Sequence, residues 1–199
     1  VVGSNPAWRA ILEKSQGSFV RSSPVLRCAE ETFMLTSDQE YMNLALELGL
    51  QAAREGDIPV GALVVDPCGE IIGRGRNRRR IEHDPTAHAE VVALRDAAQN
   101  LGAWNLSGCS LYVTLEPCPM CAGALVQARV SRLVYGCTDP KAGACGTLYD
   151  LTRDTRLFHR LQVVSGVMER ECRALLQDFF QVCREKKRTF GWLPDGRNN

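Results

Sequence analysis

The chain has 199 residues, 45% of them hydrophobic and 24% charged, with a formal net charge of +1. That length and ordinary composition fit one globular domain with a sizeable core. No stretch approaches the roughly 18 consecutive apolar residues of a transmembrane helix, so a membrane span is excluded. Nine cysteines, an odd number without a framework spacing, read as a reduced, cytoplasmic protein whose isolated thiols pack as small hydrophobes.

Residues 1–36 carry little pattern and read as an extension. Its Ser and Arg content has an organelle-targeting character, and Met34 stands as an alternative start just ahead of the first organised element. "SDQE" at 37–40 is a capping box, opening a helix that runs to about Arg54 with Met42, Leu46, Ala53 and Tyr41, Ala45, Leu48, Ala52 at helical spacing. "VGALVVD" and "EIIGRGRN" flank the turn "PCG" as a hairpin. A second helix is expected from near Thr86 to about Asn100. Strand "SLYVTLE", helix "PMCAGALVQAR" and strand "SRLVYG" follow. An irregular stretch, 137–160, precedes strand "LQVVSGV" and a last helix from 169 to about 186.

That helix carries Cys172, Leu175, Leu176, Phe179, Phe180 and Cys183 on one stripe, so at least one of the two Phe is expected to be buried, Phe179 first. Strands alternating with helices after an initial hairpin predict one α/β domain over 37–188, a mixed five-stranded sheet covered by helices on both faces, then a basic tail at 189–199.

Charge is unevenly placed. Residues 74–80, "RGRNRRR", hold five arginines and no acid, while residues 1–73 hold 5 basic against 10 acidic groups. Such a run is either a solvated hairpin end or a surface for phosphates.

The chemistry starts at "TLEPCPMC", 114–121. A dithiol redox pair needs only Cys118 and Cys121. A structural zinc knuckle needs four protein ligands, and no second pair at that spacing exists. A catalytic zinc site needs three ligands and an open position. Upstream, "DPTAHAE" places His88 and Glu90 two apart at an expected helix start, and Cys118 and Cys121 lie three apart on one face of another. Helix starts also favour thiolate over thiol. Two such starts meeting would assemble one Cys2His zinc with a carboxylate beside it. Glu90 is read as proton shuttle and not as a fourth ligand, because zinc lowers the pKa of its water from about 15.7 to roughly 7 only where a position stays open. A redox pair would leave His88 and Glu90 without a role. His83 and His159 have no partner pattern and read as surface or core residues.

The H-x-E…P-C-x-x-C arrangement is the signature of zinc nucleobase deaminases. "IPVGALVV", "GRNRRRIEHDPTAHAE", "LYVTLEPCPMCAGAL", "RLVYGCTDPKAGACGTLYDL" and "ECRALLQDFF" resemble successive blocks of the bacterial tRNA-specific adenosine deaminases, over roughly residues 38–186. The resemblance implies a cytidine deaminase-like three-layer α-β-α sandwich and a homodimer. It implies one zinc per subunit, held by His88, Cys118 and Cys121, with Glu90 as proton shuttle and Asn77 contacting the target nucleoside. The implied reaction converts adenosine to inosine at the wobble position of an arginine tRNA.

Free cytidine deaminases place Cys where His88 stands, and riboflavin-pathway deaminases space their second cysteine further on. Guanine deaminases share the HAE and PCPMC pieces but not the arginines beside Asn77 or the "TDPKAGACGTLYDL" loop. A non-catalytic zinc module binding RNA or a partner would not need Glu90. On this reading Arg74, Arg76, Arg78, Arg79 and Arg80 dock the phosphates of an anticodon stem-loop, with Arg78 and Arg79 taken as substrate-binding residues. Asp139 and Lys141 hold the ribose and a neighbouring phosphate of a flipped base.

Overall fold

A computed structural model describes residues 37–190, and the expectations for the extension and for the tail beyond 190 lie outside them. The elements are α1 (Asp38–Arg54), β1 (Gly61–Val65), β2 (Ile71–Arg76), α2 (Ala89–Leu101), β3 (Ser110–Leu115), α3 (Pro119–Gln127), β4 (Arg132–Cys137), β5 (Gln162–Ser165) and α4 (Glu169–Phe190). The strands form one sheet in the order β2-β1-β3-β4-β5. β1 is antiparallel to both β2 and β3, while β3, β4 and β5 run parallel. The expected mixed five-stranded sheet is therefore present.

Alternation along the central strands builds a core on each face. Ala62, Val64, Leu111, Val113, Leu133 and Tyr135 pack with Ala93 and Ala97 of α2 and Leu125 of α3. Leu63, Val65, Tyr112 and Val134 pack instead with Tyr41, Met42 and Ala45 of α1 and Cys172 of α4. Helices thus cover both faces. β1, buried along its whole length, reads as a continuous apolar run for that reason.

The capping box forms as expected: Ser37 Oγ accepts from the Glu40 amide, and Glu40 accepts from the Ser37 amide. α2 lies directly on β2 because Gly75 has no Cβ, which would overlap the Ala89 carbonyl oxygen. That close approach carries the start of α2 to the end of β2.

Four expectations need correction. The second helix begins at Ala89, not near Thr86, because Asp84 Oδ1 accepts both the amide and the hydroxyl of Thr86 and holds 84–87 in a turn. The last helix runs past 186 to Phe190. Phe179 is only half-buried and Phe180 is 42% exposed, since on their stripe it is Cys172 that lies under the sheet. Cys68, in the hairpin turn, is disulfide-bonded, against the reading of a wholly reduced chain. The other seven described cysteines are free thiols. Among the described residues, no helix is long and apolar enough to cross a membrane.

Candidate active site

Two helix starts meet on one side of the sheet. His88 is the N-cap of α2 and Cys118 the N-cap of α3, both in extended backbone conformation. Pro119 occupies the first turn of α3, where its missing N–H costs nothing. Neither cap side chain satisfies its own helix, so both point away from it and toward each other. His88 Nδ1 lies 3.8 Å from Cys118 Sγ and 3.6 Å from Cys121 Sγ. The three ligand atoms all fall within 4.8 Å of one another. Tetrahedral zinc at its usual Zn–N and Zn–S lengths sets nitrogen and sulfur about 3.6 Å apart. The donor set and its spacing fit that ion.

The electrostatics agree. The Cys118 thiol is held down to about 4, first by the hydrogen bond from Cys121 and then by His88 against a desolvation penalty. Cys121 shifts up because the proton stays on its side of that shared bond and the thiol is buried. His88 is raised, mainly by its bond to Cys118. A metal held here would take the place of the shared proton, with Cys118 and Cys121 both offering thiolates. This pair, aimed at an imidazole, has the arrangement of a candidate metal-ligand set.

Glu90, the second residue of α2, is 4% exposed. Burial raises its pKa, and its polar neighbours are its own amide, His88 and the Cys121 thiol. A carboxyl group in that setting carries a proton at a cost much smaller than in water.

Asn77 is also buried, at 4%. Its Oδ1 accepts the Ala89 amide at 3.0 Å, which satisfies one of the orphan donors of α2. Sequence reasoning gave Asn77 a substrate contact and missed this second role; an Asn ahead of a helix start was the available signal.

The arginines are divided. Arg76 pairs bidentately with Glu55 at the end of α1, at 2.6 and 2.9 Å. With Gly73 and Gly75 against α2, Arg74 and Arg76 project from the opposite sheet face, away from the site. Arg78 pairs with Glu82, and its amide donates to the Ala87 carbonyl, one residue before His88. Arg79 is exposed, and its charge acts on His88. The Arg80 amide is held by buried Asp57 at 2.9 Å. Arg78 and Arg79, not the whole cluster, adjoin the site.

Asp139 and Lys141 sit in the loop after β4. Asp139 Oδ1 accepts the Lys141 amide at 2.8 Å, and Lys141 is exposed. The loop read as irregular is an ordered series of turns with one short bridge, Cys145 to Asp150. Buried Glu116 organises it, and sequence reasoning missed that residue. A carboxylate ending the apolar strand "SLYVTLE" was the signal. His159 Nε2 donates to the Val130 carbonyl oxygen at 2.7 Å and His83 is exposed, so neither joins the candidate ligand set.

Residues 35–137 match the cytidine and deoxycytidylate deaminase zinc-binding region. The chain belongs to that deaminase family. A Bacillus subtilis protein named tRNA-specific adenosine deaminase is 47% identical over 154 residues, which cover 77% of this chain and 95% of that protein. A solved structure from work on A-to-I editing by tRNA:A34 deaminases at the wobble position superposes with a TM-score of 0.66 at 42% identity. It covers 68% of this chain and 98% of its own. A guanine deaminase from Nitrosomonas europaea shares the fold at a TM-score of 0.62 but only 25% identity, over 81% of this chain and 95% of its own. Family membership makes this chain a zinc-dependent deaminase, with His88, Cys118 and Cys121 as the candidate ligands on this fold.

Proposed function

We propose that this chain deaminates adenosine to inosine at the wobble position of an arginine tRNA, with one zinc per chain. The observation that carries the chemistry is the convergence of His88, Cys118 and Cys121 beside buried Glu90. The substrate reading is supported by 42% identity over 68% of this chain to the wobble-deaminase structure, against 25% for one guanine deaminase and 38% over only 56% of this chain for another.

When bound, zinc supplies a Lewis acid that makes water nucleophilic near neutral pH. Glu90 accepts one proton of the attacking water and passes it to the ring nitrogen, then takes the second from the hydroxyl now on the purine carbon and passes it to the leaving amine. The water oxygen bonds to the purine carbon, the carbon–nitrogen bond breaks, and ammonia leaves. The α2 start fixes Asn77 through Ala89, so the NH2 group of Asn77 is what remains for an acceptor on the nucleoside. Arg78 and Arg79 offer positive charge to phosphates next to the flipped base, and Asp139 and Lys141 hold its ribose side. The setting of such a reaction is the cytoplasm.

The chain acts as a homodimer on this reading. Val91, Leu94, Ala98, Ala124 and Trp104 line an apolar groove between α2 and α3, and Trp104 is 67% exposed. Inosine formation in an arginine-tRNA anticodon stem-loop, with free guanine as competitor substrate, tests the proposal. Turnover of guanine without inosine formation would assign the site to free bases.

A further inference from the structure

Glu116 is 1% exposed and follows the last residue of β3, two positions before the ligand Cys118. No cation pairs with it among the described residues. Four donors do, and every one comes from the loop after β4. Oε1 accepts the amides of Cys145 at 3.0 Å and Thr147 at 3.1 Å. Oε2 accepts the Asp139 amide at 3.1 Å and the Thr147 hydroxyl. One carboxylate thus ties the first residue of a nine-residue turn region, 139–147, to its last.

The backbone on either side reinforces the tie. The Glu116 amide donates to the Cys137 carbonyl, and the Pro117 carbonyl accepts the Ala144 amide, each at 2.9 Å. Gly143 sits directly on the carboxylate: a Cβ there would overlap Oε2. A buried carboxylate without a cation is expensive unless its hydrogen bonds are complete, and these are. An apolar residue would fill the same space but leave three amides without acceptors.

We infer that Glu116 is a positioning residue, whose carboxylate locks the 139–147 loop against the Cys118 end of α3 and so sets where Asp139 and Lys141 meet the substrate. The inference rests on the tRNA reading for the identity of that substrate, but the lock itself does not.

Glu116→Gln keeps the shape and replaces one acceptor oxygen with a donor facing other donors. The zinc-loaded variant is expected to retain its metal and its cooperative unfolding. Amide exchange at Asp139, Cys145 and Thr147 should accelerate at least ~10-fold. The KM for an anticodon stem-loop should rise about 5-fold or more with kcat changed less, as lost positioning of the bound substrate requires. Unchanged exchange at those amides would overturn the lock whatever the substrate. Faster exchange with unchanged KM would overturn the role in substrate placement. Faster exchange in a protein whose wild type ignores the stem-loop upholds the lock and refutes only the tRNA reading. Should Glu116→Gln fail to fold, Thr147→Val removes a single donor, and the same two readouts, in the same directions, decide.

Discussion

The side-chain oxygen of Asn77 accepts the backbone N–H of Ala89 at 3.0 Å, so one buried amide both caps α2 and has its orientation fixed by doing so. The two roles separate by substitution. Asn77→Asp keeps an oxygen for the cap and exchanges the NH2 donors for an acceptor. It should fold with wild-type stability and lose deamination by about 10²-fold or more. Asn77→Ala loses the cap as well, and thermal unfolding should report about 1 kcal/mol less stability. Equal activity in Asn77→Asp and wild type would remove Asn77 from substrate recognition.

The metal prediction follows from the 3.6 and 3.8 Å separations of His88 Nδ1 from the two sulfurs. Elemental analysis should find one zinc per chain in the wild type. Cys121→Ser, which removes a fully buried candidate ligand, should lose zinc and lower the unfolding temperature. A protein that stays folded and active after exhaustive chelation would contradict the site.

Glu90 is buried at the second position of α2 and lies outside the candidate ligand cluster. Glu90→Gln should therefore retain zinc and bind the stem-loop normally, while kcat falls at least ~10²-fold. Zinc loss in that variant would make Glu90 a ligand.

Salt titration separates the arginines. Arg79 is exposed beside the site, whereas Arg76 is engaged by Glu55 on the other sheet face. Arg79→Ala should reduce the slope of log affinity against log salt by about 1, and Arg76→Ala should leave it unchanged. The reverse result would move the phosphate contacts to the α1 face.

Acid stability turns on the far side of the sheet. Arg132 holds Asp38 through two hydrogen bonds of 2.9 and 2.7 Å, and Tyr112 adds a third. These contacts, Arg132 first, depress the Asp38 carboxyl below its usual 3.8. A depressed carboxyl contributes stability above its unfolded value and loses it as pH falls through the folded one. Asp38→Asn should cost under about 1 kcal/mol at pH 7, because both partners are partly solvated, and the difference from wild type should fade below pH ~4. Urea unfolding across that range checks the sign.

Local spacing was enough for much of this protein. His88 with Glu90 after Asp84-Pro85, and Cys118 with Cys121 around Pro119, mark two helix starts by chain-local chemistry, because caps and prolines act within one turn. The order of strands alternating with helices after an initial hairpin likewise announced a sheet covered on both sides. The exact start of α2 was not legible, since the Asp84 turn with Thr86 competes with the helix for the same residues. Three matters were decided only by packing across the sheet. Gly73 and Gly75 press β2 onto α2, which turns Arg74 and Arg76 to the opposite face and leaves Arg78 and Arg79 at the site. Cys172 takes the place under the sheet, so Phe179 and Phe180 keep part of their surface in solvent. Glu116 finds its four donors 23 to 31 residues away, a relation that no local period encodes, because it forms only when β4 lies parallel to β3 and returns the loop beside Cys118.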